Sequence, residues 1–215
     1  MTLTLDGVGI VPVLTAPTVS AAVAAGRALA RGGITCVEMT LRTAAGLEAI
    51  AALSRETDLL VGAGTVLSRS QVEAVAAAGA RFVVSPGFDQ DVVDATRAAG
   101  MASLPGVATA TEIQRAVAAG IDTLKFFPAD RLGGLATIRA LAAPFTGVRF
   151  VPSGGVGDGN AAEYLAHPAI AAVSGSWIVP NDAVAAEDVD RIESLTAAAV
   201  AALVASGLPA PRRIA

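Results

Sequence analysis

Lysine is nearly missing from this chain: of 15 Lys plus Arg, Lys125 alone is lysine. There is also only one histidine, one cysteine, one tryptophan and one tyrosine. Each scarcity excludes something. A single cysteine permits neither an internal disulfide nor a cysteine-based metal cluster. Cys36 lies in the β-rich run ITCVEMT and reads as a packed core residue, since buried cysteine behaves as a small hydrophobe. The single histidine, His167, precedes Pro168 in a turn-like context and does not furnish a zinc centre. The net charge is -4 and no basic cluster occurs, so the electrostatic footprint of a nucleic-acid binder is missing. The longest low-polarity stretch, residues 197–205, is about half of the ~20 residues that span a bilayer and reads as a terminal helix packed on a core. The start, MTLTLDGVGI, has neither a basic n-region nor an apolar h-region, so no signal peptide is expected. These absences describe a cytoplasmic chain with no membrane or nucleic-acid partner.

With 53% hydrophobic and 16% charged residues, the 215-residue chain has the composition of one compact domain with a substantial core. It repeats one unit, a short β-branched run ending in Gly, Pro, Ser or Thr, then an Ala-rich stretch of helical length. Strands are expected at 9–14, 34–40, 59–64, 81–85, 101–105, 123–127, 148–152 and 169–174. Helices are expected near 18–31, 44–56, 68–78, 89–99, 109–119, 133–142, 158–166 and 187–206. Ser68, Asp89 and Thr109 are placed as N-caps, and Glu112 completes a capping-box spacing with Thr109. Eight βα units in so short a chain match a single-domain (β/α)8 barrel of the TIM type, α/β in class, over residues 1–207, with 208–215 (LPAPRRIA) as a loose C-terminal tail. A dinucleotide fold wants GxGxxG after its first strand, and TAPTVS stands there instead.

Lys125 then needs a reason, because Leu124 precedes it and Phe126, Phe127 and Pro128 follow it. Burying a charged amine is costly, and a buried amine gives up its proton more readily, which a guanidinium cannot do. Two readings stay open: an amine nucleophile toward a carbonyl, or one half of a buried structural ion pair. Barrel chemistry sits at the carboxyl ends of strands. Strand two offers Glu38, Thr40 and Arg42, which alternate onto one face if the chain stays extended. Strand three ends in VGAGTV with Thr65; strands four and five end in SPGF and LPG, small turns that shape a pocket. Strands seven and eight end in PSGGV and VSGSW, whose glycine amides and serine hydroxyls suit an anion such as phosphate. The set describes an enzyme that forms a Schiff base with a 2-oxo acid bearing a distal phosphate. No metal or cofactor is expected. Two other readings use the same residues: an isomerase or decarboxylase that uses Lys125 as a charge, and a non-catalytic barrel that binds a sugar phosphate.

At these motifs the sequence resembles the class I 2-keto-3-deoxy-6-phosphogluconate (KDPG) aldolases, whose relatives include 4-hydroxy-2-oxoglutarate (KHG) aldolases. The resemblance runs from GIVPV through EMTLRT, VGAGTVL, SPGF, PGVATATE, LKFFPA and PSGGV to GSWIVP. It implies cleavage of 2-dehydro-3-deoxy-6-phosphogluconate to pyruvate and glyceraldehyde 3-phosphate, a step of the Entner-Doudoroff pathway, by a homotrimer. It implies Lys125 as the imine-forming residue and Glu38 as the proton-transfer residue. Arg42 and Thr65 would hold the substrate carboxylate, Pro86 and Phe127 would wall the pocket, and Ser153, Gly154, Gly155 and Ser176 would form the phosphate end. Three departures stand out: PSGG reads PTGG in some relatives, Ser174 stands where relatives often have glycine and would add a donor to the phosphate or crowd it, and LTAPT carries no basic residue. An aldolase for the galactonate epimer has EIPLN where this chain has EMTLR, so the gluconate substrate is the better fit.

Overall fold

The computed structural model describes residue 5 and residues 7–212. Eight strands alternate with helices: β1 (Gly9–Leu14), α1 (Val19–Arg31), β2 (Cys36–Thr40), α2 (Gly46–Glu56), β3 (Leu60–Gly64), α3 (Arg69–Ala77), β4 (Phe82–Ser85), α4 (Gln90–Ala98), β5 (Ala102–Val107), α5 (Ala110–Ala118), β6 (Thr123–Phe126), α6 (Gly134–Ala142), β7 (Arg149–Pro152), α7 (Ala161–Leu165), β8 (Ala172–Gly175), α8 (Asn181–Ala185) and α9 (Val189–Ala205). All strand pairs are parallel, in the order β7-β6-β5-β4-β3-β2-β1-β8. Two bridges between β7 and the β8 region, Phe150 to Ile170 and Ser153 to Ser174, close the ring. The fold is the expected (β/α)8 barrel.

The helix starts follow from local chemistry. Ser68 and Asp89 accept from the backbone N–H of Gln71 and Val92, and Thr109 and Glu112 form the full reciprocal capping box, so the orphan amides of α3, α4 and α5 are satisfied as the sequence predicts. Gly79 and Gly120, just past α3 and α5, take φ of +93° and +77°, the left-handed turn that lets the chain leave a helix. Helix α8 was not expected: five residues give no readable periodicity. The expected helix over 158–166 shrinks to Ala161–Leu165. Strand β5 runs on through Pro105 and Gly106 to Val107 where the sequence suggested a turn, and Gly106 thereby pairs with Lys125. The C-terminal segment, read as loose, is held over its described part: Arg212 donates its N–H to Gly7 O at 2.7 Å and accepts from Thr35 Oγ1 at 2.9 Å, while Leu208 packs on the core. Residues 213–215 of that tail lie outside the described residues. No helix among the described residues is long and apolar enough to cross a membrane.

Two apolar cores result. One lies between the helices and the outer face of the sheet, where Phe126 meets Phe150 edge-on at 6.5 Å. The other fills the barrel, with Leu5, Val8, Val11, Cys36, Phe82, Val84, Leu104 and Val151. Inward residues of alternate strands stack in layers of four, each layer stepping two residues along the chain for every two strands because the strands tilt. Following the pairs round gives one layer. Glu38 reaches Phe82 through Gly62, and two residues on is Val84; Val84 pairs with Leu104, and two residues on Gly106 pairs with Lys125. Lys125 pairs with Val151, and two residues on Ser153 bridges Ser174; Ser174 pairs with Val11, and two residues on Val13 returns to Glu38. Glu38, Val84, Lys125 and Ser174 therefore share a layer. Just above it, toward the carboxyl ends, lie Val13, Gly64, Gly106 and Ser153, and above these Thr40, Pro86, Phe127 and Ser176.

Candidate active site

The small residues of that upper layer decide where the barrel opens. A Cβ on Gly64 would stand 2.3 Å from Glu38 Oε1, and one on Gly106 would stand 2.1 Å from Pro86 O. Glycine at position 64 leaves room for the Glu38 side chain to rise from the layer beneath, and glycine at position 106 lets the Pro86 backbone pack close against β5. The result is a cleft of about 310 Å³ at the carboxyl ends of the strands, lined among others by Glu38, Thr40, Arg42, Thr65, Pro86, Lys125, Phe127, Ser153, Gly154, Gly155 and Ser176. Every residue singled out from the sequence as catalytic or substrate-binding lies in it.

At its floor, Lys125 Nζ is 3.4 Å from Glu38 Oε1, with both side chains almost wholly out of solvent. The residues are 87 apart in sequence and sit on opposite strands of one layer. The pair is long for a charge-assisted hydrogen bond, which usually closes to about 2.7–2.9 Å. Glu38 Oε2 has no hydrogen-bond partner among the described residues. A buried ion pair kept for stability needs close geometry and satisfied lone pairs to offset desolvation, and this one has neither. The geometry thus favours the chemical reading of Lys125 over the structural one. The Phe127 ring lies 5.3 Å from Nζ, a cation–π distance, and supplies an apolar wall.

Arg42 departs from the expected geometry. Strand β2 ends at Thr40, so Arg42 reaches the cleft from an exposed turn and not by alternation along the strand. The turn is anchored by Leu41 N–H on Gly64 O at 2.9 Å and by Thr43 Oγ1 on Ala16 O at 2.8 Å. Thr40 faces inward and shares a 2.9 Å hydrogen bond with Thr15 Oγ1. Thr65 has φ of +61°, in the left-handed region, where a β-branched residue is a genuine outlier. Such strain, roughly 1–3 kcal/mol, persists where the surroundings over-determine it and is concentrated at functional positions.

At the opposite rim, Gly154 and Gly155 have φ of +88° and +85°. Gly155 must be glycine, since its Cβ would stand 2.1 Å from that of Asp130. Asp130 N–H donates to Gly154 O at 2.9 Å, and Asn160 braces the loop by donating to Gly155 O at 3.0 Å and accepting from Gly157 N–H at 2.9 Å. The sequence reading missed Asn160 and Asp130 because neither faces the cleft; both only hold the loop. It also missed Val13, Val156 and Gly175, which line the cleft with no polar side chain to announce them. Burial pushes the Cys36 thiol up to about 12, with the Glu38 carboxylate adding to the effect, so it stays an inert core group as expected.

The family model described as KDPG and KHG aldolase matches residues 3–195. A 2-dehydro-3-deoxy-phosphogluconate aldolase of Treponema pallidum is 50% identical over 193 residues, 89% of this chain and 92% of the relative. A KDPG aldolase from Legionella pneumophila, solved with pyruvate captured at low pH as a covalent carbinolamine intermediate, matches with a TM-score of 0.88 at 36% identity, over 91% of this chain and 96% of that one. A KDPG aldolase of Zymomonas mobilis with 3-phosphoglycerate matches with a TM-score of 0.86 at 38% identity, over 91% and 92%.

Proposed function

The chain belongs to the KDPG and KHG aldolase family, and on that premise we propose that it is a class I aldolase that cleaves 2-dehydro-3-deoxy-6-phosphogluconate to pyruvate and glyceraldehyde 3-phosphate. The observation that carries the reading is the lone lysine held 3.4 Å from a buried glutamate on the floor of the cleft. In its unprotonated form Lys125 Nζ adds to the C2 ketone. Glu38 passes protons as the carbinolamine loses water to a protonated imine. The imine draws electrons from the C3–C4 bond while Glu38 takes the proton of the C4 hydroxyl. Glyceraldehyde 3-phosphate leaves, and the enamine on Lys125 is protonated at C3 to an imine whose hydrolysis takes up one water, equal to that lost earlier, releases pyruvate and frees the amine.

Arg42 and the Thr65 hydroxyl hold the substrate carboxylate, and so fix the ketone over Nζ. Phe127 and Pro86 exclude water on two sides. The distal phosphate lies against Ser153, Gly154, Gly155 and Ser176, two hydroxyls with a pair of amides in a left-handed turn. This end supports a phosphorylated substrate over unphosphorylated 4-hydroxy-2-oxoglutarate, and the strand-two motif with Thr40 and Arg42 supports the gluconate over its phosphorylated galactonate epimer. The family resemblance also supports a cytoplasmic homotrimer, which sedimentation at micromolar concentration tests directly.

The test is intact mass after incubation with pyruvate and borohydride, followed by peptide mapping. One reduced pyruvate on the peptide that carries Lys125, and none in Lys125→Met, is expected. Absence of an adduct on folded wild-type protein would end the Schiff-base reading. Comparing kcat/KM for the three 2-oxo acids settles the substrate: a preference for an unphosphorylated one sinks the phosphate assignment.

A further inference from the structure

The layer that contains Lys125 and Glu38 has two other members, and they differ in kind. Val84 on β4 closes one side with hydrocarbon. Ser174 on β8 closes the other, between the strand pairs that lead to Lys125 through β7 and to Glu38 through β1. Its inward orientation follows from its neighbours. Ala172 belongs to the core inside the barrel and Val173 to the core outside it, so the alternation returns Ser174 to the inside. The sequence suggested a donor at, or an obstacle to, the phosphate. The register instead sets Ser174 one layer below Ser153 and two below Ser176, level with the reacting amine.

Ser174 is 1% exposed, and its Oγ has no hydrogen-bond partner among the described residues. The other unpartnered buried atom in this layer is Glu38 Oε2. Two orphaned oxygens in one four-residue layer call for a shared partner, because buried polar groups are almost always hydrogen-bonded, and small buried polar sites are satisfied by water. One of the two is a hydroxyl that can donate, the other a carboxylate oxygen that can only accept when ionised.

We propose that Ser174 is a positioning residue of the active site, holding Glu38 Oε2 through one buried bridging water so that Oε1 stays aimed at Lys125 Nζ. The inference rests on the proton-transfer role given to Glu38 above. A carboxylate anchored at one oxygen keeps the other in reach of both the amine and the reacting carbon. Released, it is free to turn about its own side-chain torsions and take Oε1 away from Nζ. The effect belongs to the chemical step and not to substrate capture, because the carboxylate and phosphate groups of the substrate are held elsewhere in the cleft.

The experiment is a double-mutant cycle on cleavage kinetics with Ser174→Ala and Glu38→Ala, with Ser174→Thr as the conservative variant and circular dichroism to verify folding. Ser174→Ala is expected to lower kcat about tenfold, the effect of one lost positioning hydrogen bond, and to leave KM within about twofold. Ser174→Thr keeps the hydroxyl and is expected to recover most of the rate. In the Glu38→Ala background, Ser174→Ala is expected to change nothing further, since its only route to the chemistry is gone. An equal kcat loss in both backgrounds, or a loss confined to KM, or an unchanged kcat in Ser174→Ala, overturns the proposal. Should Thr fail to fold, the cycle alone decides. If Glu38→Ala itself turns over normally, the failure is that of the proton-transfer reading on which this one rests.

Discussion

Replacing Gly64 by alanine is the smallest change that tests how the cleft is built. The added Cβ would lie 2.3 Å from Glu38 Oε1, 2.7 Å from its Cγ and 2.9 Å from its Cδ. Ordinary contact begins near 3.4 Å, so the carboxylate must retreat by about 1 Å, a displacement that costs on the order of 10²-fold in a positioned active site. The backbone cannot yield instead, because Gly64 lies in the β3 ladder opposite Thr40 and its carbonyl accepts from Leu41. Overpacking of this sort costs roughly 1–3 kcal/mol of stability. For a chain of this length each kcal/mol lowers Tm by about 2–4 °C. The assay is steady-state cleavage beside thermal denaturation, for Gly64→Ala, Glu38→Ala and the double variant. Because Glu38→Ala removes every atom in the clash, the stability cost of Gly64→Ala should largely vanish in that background. A folded Gly64→Ala enzyme with kcat/KM within twofold of the parent, or a stability cost that persists without the Glu38 side chain, refutes the account.

Three other changes probe separate parts of the site. Arg42→Lys is expected to raise KM for the 2-oxo acid at least tenfold, since a point charge replaces a planar fork; an unchanged KM removes Arg42 from carboxylate binding. Thr65→Gly relieves a left-handed β-branched residue, so melting temperature should rise, by about 1 kcal/mol of stability, while affinity for pyruvate falls. A lower Tm with intact affinity contradicts the strain argument. The Cys36 thiol, held near 12 against an ordinary 9.0, keeps in the folded chain a proton that the unfolded chain loses. Its contribution to stability is therefore complete below pH 9 and declines as pH rises toward 12, by up to about 1.4 kcal/mol per pH unit. Native protein should resist thiol reagents at pH 8 and react once unfolded; rapid native labelling would disprove the burial.

Much of the fold could be read before any coordinates because local chemistry and global architecture agree. Ser68, Asp89 and the Thr109–Glu112 box announce helix starts by satisfying amides within a few residues. The β-branched runs announce strands that are covered on both faces. Lys125 stood out because it is the only lysine and sits in an apolar run, a signal that needs no partner to be seen. Where the reading failed, the deciding contact was remote or the element short. Helix α8 has too few residues for a period. The end of β5 was hidden by Pro105, whose missing N–H normally stops a strand. The tail at 208–212 is pinned by Thr35 and Gly7, far away in sequence.

The sequence by itself determined the order of the strands and of every helix but α8, the inventory of chemical groups and the strand end to which each belongs, because these depend on neighbours along the chain. Only closure of the barrel decided which groups meet. The strand tilt and register put Glu38 and Lys125 across one layer, set Ser174 beside them and not at the rim of Gly154, Gly155 and Ser176, and brought Arg42 in from a turn. Register is a sum over eight pairings, and a slip of one residue at any of them would turn these side chains to the other face. No single segment contains that sum, so it belongs to the tertiary structure.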